Sequence, residues 1–183
     1  GLWPHSWAIP SKLVDDDYNI WASNYQMTDM EDSLRIGTFC HENGHMTCEF
    51  PDLYSYIDGQ GIVGNYSLMC ASGSTHPRNV DPYLKYKAGW ADVVEVNAAS
   101  NVRAVAQIDR NFYYKFTNPV QSKEYFLIEN RDDIGYEGVY GGASVCAPGQ
   151  GLVVWHIYEQ GSNTYSSIQM TPQTYATPYE AFI

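Results

Sequence analysis

The chain has 183 residues and a formal net charge of −11, with Lys and Arg standing singly along it. That balance argues against nucleic acid and anionic membranes as partners, and no apolar run approaches the roughly 20 residues that span a bilayer. Length alone suggests one domain with a substantial core. Sixteen tyrosines beside few charged residues suit an extracellular, β-rich protein. The chain opens on Gly1 and closes on Ile183 with no polar tail, so it reads as a piece of a longer or processed product with further domains.

Residues Gly1 to Ser11 hold two prolines and no helical period, which predicts an extended segment ending at a turn. His5, between Trp3 and Trp7, reads as packing rather than chemistry. Asp15, Asp16 and Asp17 form an acidic cluster: a solvated turn, or a calcium loop, since hard cations gather oxygens. Thr28-Asp29-Met30-Glu31 has the pattern of a capping box and opens a helix predicted from about Asp29 to Cys48. Pro51 cannot continue that helix and biases Phe50 away from it.

The helix carries His41-Glu42-Asn43-Gly44-His45. Positions i and i+4 share a helix face, so His41 and His45 can offer nitrogens to one point. Zinc takes His nitrogens at roughly 2.0–2.1 Å, and a catalytic zinc keeps one position open for water. Glu42, beside that pair, is placed to act as general base. Two histidines do not complete such a site. Asp52, in F-P-D-L-Y at 50–54, is the nearest carboxylate on the returning chain and the preferred third ligand. Asp58, Glu49, His76 and Asp81 remain alternatives. Cys40 reads as a small hydrophobe. Cys40 and Cys48 are too far apart along a helix to pair, whereas Cys48 with Cys70 is geometrically open and Cys146 is read as free.

Asn65-Tyr66-Ser67 matches a glycosylation sequon, expected to be unused within an apolar stretch, and Met69 reads by default as core filling. Asp81 to Trp90 predicts a short helix with Asp81 as N-cap, Pro82 at the first position and Gly89 near the C-terminal end. After Trp90 the period changes. Val102–Ile108, Asn111–Thr117, Glu124–Asn130 and Gly151–Tyr158 read as strands of an antiparallel sheet. His156 reads as a satisfied strand histidine. The fold class expected is α+β, a metal-binding helix followed by a β-rich part, with residues 1–92 holding the helix and 93–183 continuing the domain or packing on it.

These pieces resemble the immune inhibitor A-like family of secreted zinc metallopeptidases. The resemblance rests on G-T-F-C-H-E-N-G-H-M at 37–46, F-P-D-L-Y at 50–54, N-Y-S-L-M-C-A-S-G at 65–73 and Y-L-K-Y-K-A-G-W at 83–90. It continues in E-Y-F-L-I-E-N-R and G-L-V-V-W-H-I downstream. The resemblance implies a metzincin-like fold, zinc held by His41 and His45, Glu42 as base, and Met69 as the methionine turn beneath the metal. It further implies secretion and protein or peptide substrates. Metzincin-type motifs place a glycine seven positions after the first histidine and the third ligand ten after it. Here those positions are Cys48 and Pro51, and Asp52 comes one later. W-H-I-D becomes Trp155-His156-Ile157-Tyr158, losing a carboxylate. Little of the N-terminal sheet of such domains fits into 28 residues, so the chain is expected to be an incomplete catalytic domain. Tyr66 and Tyr83 are the candidate oxyanion stabilisers. The rival expectation is a non-catalytic or truncated homologue serving as a β-rich binding module.

Overall fold

In the computed structural model the residues described are 3–15, 17, 20–28, 36–57, 59, 61, 63–71, 76–97, 111–131, 151–161 and 179–182. The N-terminal segment is more regular than its prolines suggest. Strand β1 (His5–Asp15) runs past Ser11 and pairs antiparallel with β2 (Ile20–Met27). The register slips between Ala8 and Leu13, where four residues of β1 stand against Ser23 of β2. Pro10 lies in that slip. It has no N–H to give a ladder, and an irregularity is where a strand tolerates it. Two strands are thus all of a sheet that the described residues place ahead of helix α1 (Ile36–Cys48), in keeping with the expectation that little of one would fit.

Helix α1 (Ile36–Cys48) follows; the capping box and first turns expected from Asp29 lie outside the described residues. Its end is made by Glu49, whose φ of 56° is left-handed and whose N–H bonds to the His45 carbonyl at 3.2 Å. Glycine usually takes this position because a Cβ costs about 1–2 kcal/mol there. The chain then returns beneath the helix through a short 3₁₀ turn (Gly64–Tyr66) to helix α2 (Pro82–Lys87). As predicted, Asp81 caps α2, accepting from the Leu84 N–H at 3.0 Å. Gly89, with φ of 74°, closes it in a Schellman motif: Trp90 N–H bonds to the Lys85 carbonyl and Gly89 N–H to the Tyr86 carbonyl.

Strands β3 (Asp92–Glu95), β4 (Phe112–Thr117), β5 (Glu124–Arg131), β6 (Gly151–Tyr158) and β7 (Tyr179–Phe182) form one sheet in that order. Three were expected from their Val, Tyr and Phe content; the predicted strand at Val102–Ile108 lies outside the described residues. The expected strands β4, β5 and β6 pair antiparallel as predicted, while β3, which was not expected, joins β4 in parallel. Alternation sends Tyr125, Leu127, Val153, Trp155 and Ile157 inward, where they meet Leu53, Leu68, Met69 and Leu84. The core thus draws on both sides of the 92/93 line. The molecule is α+β, and no described helix is long and apolar enough to cross a membrane.

Candidate metal centre

Helix period alone brings His41 and His45 together, their rings edge to face at 4.7 Å. The Glu49 turn then swings the chain back so that Asp52 meets them. Asp52 Oδ1 lies 3.0 Å from His41 Nε2 and 3.1 Å from His45 Nε2, and the two Nε2 atoms are 3.1 Å apart. Four ligands at roughly 2.0–2.1 Å in a tetrahedron stand about 3.3 Å from one another, so this triangle is close to three corners of such a shell. These three residues are the one group of His, Cys, Asp and Glu with metal-ligand spacing among the described residues.

The hydrogen bonds behind the rings decide what the triangle can hold. His41 Nδ1 faces the Leu68 carbonyl at 2.9 Å, and His45 Nδ1 faces the Phe50 carbonyl. A carbonyl only accepts, so each Nδ1 carries the proton and each neutral Nε2 presents a bare lone pair. Two lone pairs and a carboxylate oxygen then converge at about contact distance, which requires a cation or an added proton between them. Carbonyl-fixed histidines of this kind are the usual outer support of a metal site. Tyr56 completes it, donating its O–H to Asp52 Oδ2 at 2.7 Å. Two nitrogens and one oxygen suit zinc or a neighbouring transition metal. Calcium and magnesium prefer all-oxygen shells.

Without a metal the group holds itself by charge. Burial works against the Asp52 carboxylate, yet hydrogen bonds from His41, His45 and Tyr56 keep its pKa well below the ordinary range. Burial likewise opposes a charge on His45, but Asp52 prevails and raises it above the usual 6.5. Glu42 is 7% exposed and lines the same cavity, of about 490 Å³, as the three ligands. Burial pushes its carboxyl up from 4.5, against the pull of His41 and His45.

Met69 is fully buried beneath the helix. A Cβ added at Gly44 would stand 3.0 Å from its Sδ, so Gly44 is what lets the methionine approach the helix closely. The Met69 turn is fastened on both sides. Leu53 N–H bonds to its carbonyl at 2.8 Å, its own N–H bonds to Ser67 Oγ at 3.1 Å, and Ser67 donates to Asp81 Oδ2 at 2.8 Å.

The alternatives for third ligand fall elsewhere. Asp81 is committed to the α2 cap, Glu49 is exposed at the helix end, His76 lies outside the triangle, and Asp58 is outside the described residues. Asp16 also lies outside them, so the calcium reading of Asp15–Asp17 is not addressed. Cys40, Cys48 and Cys70 are free thiols, so the open Cys48–Cys70 pairing is not made. Cys40 packs against the core as expected, and Cys146 lies outside the described residues. Asn65 is exposed, so burial does not bar its sequon, contrary to expectation. His156 is buried, bonds Glu124 Oε1 at 2.9 Å and stacks on Phe126, a satisfied strand histidine.

Two expectations about the cavity need correction. Tyr66 and Tyr83 are buried in the core, Tyr66 against Trp155 and the Arg131 guanidinium, and neither lines the cavity. Tyr54 and Tyr56 line it instead. His5, read as packing, also lines it: the start of β1 lays His5 and Trp7 along its wall, beside Trp3 just ahead of the strand. His5 Nδ1 donates to the Trp3 carbonyl at 2.7 Å, and its Nε2 lies 3.2 Å from the Tyr25 hydroxyl. The whole run from Trp3 to Ala8 lines the cavity, so no alternation in the sequence singled His5 out. No family model, curated protein or solved structure matches the chain.

Proposed function

We propose that the chain is a secreted zinc endopeptidase, or a large part of the catalytic domain of one, acting on extracellular proteins. The observation that carries this reading is the convergence of His41 Nε2, His45 Nε2 and Asp52 Oδ1 at 3.0–3.1 Å, with Glu42 on the wall of the same cavity. Zinc bound by that triangle supplies Lewis acidity, polarising a scissile carbonyl and acidifying water. Glu42 takes the proton of the attacking water and passes it to the leaving amine, a role suited to a carboxylate whose affinity for protons is raised by burial. The Leu68 and Phe50 carbonyls fix the histidine tautomers, and Tyr56 aims Asp52. Trp3 and Trp7, 84% and 70% exposed on the cavity wall, give a bulky apolar substrate side chain something to pack on.

The metzincin-like part of the proposal is supported by Met69 beneath Gly44. It is also supported by an exit loop that follows the same logic one residue later: the left-handed residue is 49 rather than 48, and the third ligand is 52 rather than 51.

Digestion of casein by the zinc-loaded chain tests the proposal. Cleavage is expected to stop with a chelator and return with zinc. Glu42→Gln should retain zinc and lose at least about 100-fold in rate. Full activity in Glu42→Gln would remove that residue from the chemistry. Absence of cleavage by the unaltered chain at every zinc concentration would leave a metal-holding binding module.

A further inference from the structure

We propose that a second site, where the ends of β4, β5 and β6 meet α2, binds a small phosphate-type oxyanion. A cavity of about 460 Å³ there is lined by Lys87, Lys115 and Lys123, three of only ten Lys and Arg in a chain of net charge −11. It shares no residue with the metal cavity.

Glu159 neutralises part of this charge. Its Oε2 lies 3.2 Å from Lys123 Nζ, and its Oε1 accepts from Tyr125 at 2.8 Å with Lys87 Nζ at 3.9 Å. Glu159 is thus engaged by Tyr125, Lys123 and Lys87, and Lys115 makes its contacts with other groups. The Lys115 side chain is only 15% exposed and lies over the rings of Tyr125, 4.3 Å to the centroid, and Tyr86, 5.2 Å. Its nearest carboxylate oxygen, Glu95 Oε2, is 4.0 Å away, beyond hydrogen-bond range. Among the described residues, the Lys115 ammonium thus meets aromatic faces and a carboxylate 4.0 Å away, with no hydrogen bond to a protein acceptor. Counting Glu159 and Glu95 against the three lysines leaves one positive charge, and Ser122 on the same wall adds a hydroxyl donor. A cavity rich in donors and short of free acceptors selects a ligand of several negative oxygens. Inorganic phosphate and the phosphate of a small organic ester share that chemistry. The negative charge of the whole chain opposes capture at long range, so binding is local and weakened by salt.

Thermal unfolding of the whole chain at low ionic strength tests this, with inorganic phosphate or phenyl phosphate titrated against sodium chloride at matched ionic strength. A saturable rise of a few degrees is expected with phosphate and absent with chloride. The rise should vanish in Lys115→Gln, shrink in the solvent-facing Lys123→Gln, and persist in His41→Ala, which separates it from phosphate held at a metal. A rise with phenyl phosphate alone, still dependent on these lysines, identifies an organic ester as the ligand. Equal rises in phosphate and chloride, or an undiminished rise in Lys123→Gln and any folded Lys115→Gln, would overturn the proposal.

Discussion

His45 ties the candidate metal site to pH. Its pKa lies above 6.5 because Asp52 and the Phe50 carbonyl outweigh burial. A metal must displace that proton, so zinc affinity should rise with pH and level off above the His45 value, with proton release on binding. The sign for the metal-free chain is opposite. A histidine with a raised folded pKa adds stability that is fully present below the unfolded value and lost as pH climbs through the folded one. Asp52, depressed, adds stability above the ordinary carboxylate range and loses it as pH falls through its folded value. Competition with a fluorescent chelator across pH 5–8 reads the first effect. A flat profile would mean that His45 does not carry the proton. His5→Ala should slow cleavage while zinc affinity holds, because His5 lines the cavity without joining the triangle. Loss of zinc in that variant would show instead that His5 supports the ligands. At this scale the sequence made His41, Glu42 and His45 legible because their spacing is local. Asp52 was legible only as the nearest carboxylate after a proline. Tyr54, Tyr56 and His5 were not, since a loop and a strand deliver them to the cavity.

Helix α1, which carries the candidate ligands, is constrained at two points. Gly44→Ala gains about 1 kcal/mol of helix propensity. Its new Cβ, however, meets a fully buried Met69 Sδ at 3.0 Å, and overpacking costs about 1–3 kcal/mol. A net loss of about 1 kcal/mol is expected, together with weaker zinc binding as the methionine shifts. Glu49→Gly should go the other way, neutral to about 1 kcal/mol stabilising, because it removes a side chain from left-handed backbone. Urea unfolding of both variants reads the two signs. A stabilised Gly44→Ala would mean that Met69 moves freely and the fit is loose. The helix stop was legible from Pro51, but not the identity of the turning residue, because no rule of spacing points to a glutamate with positive φ. The α2 cap was legible from Asp81 and Pro82, and the helix end from Gly89, within one short stretch.

Across the molecule, the inner face of the sheet packs Leu127 and Trp155 into one core with Leu68, Met69 and Leu84, against which Cys40 and Cys48 of α1 are set. Strands β4, β5 and β6 could be read from alternation and β-branched or aromatic content. The parallel pairing of β3 could not, because a strand's partner leaves no periodic trace, and the two-stranded sheet ahead of α1 was masked by Pro4 and Pro10. That small sheet matters for the functional reading, since it supplies a wall of the cavity. The account rests on one cation held where the three ligand atoms converge. X-ray diffraction from zinc-soaked crystals, with anomalous scattering recorded at the zinc edge, measures this directly. A single peak within about 2.0–2.2 Å of His41 Nε2, His45 Nε2 and Asp52 Oδ1, with the Glu42 carboxylate facing the open side, is the result expected. Zinc bound elsewhere, or histidine rings that diverge with Glu42 turned from the space between them, would contradict it.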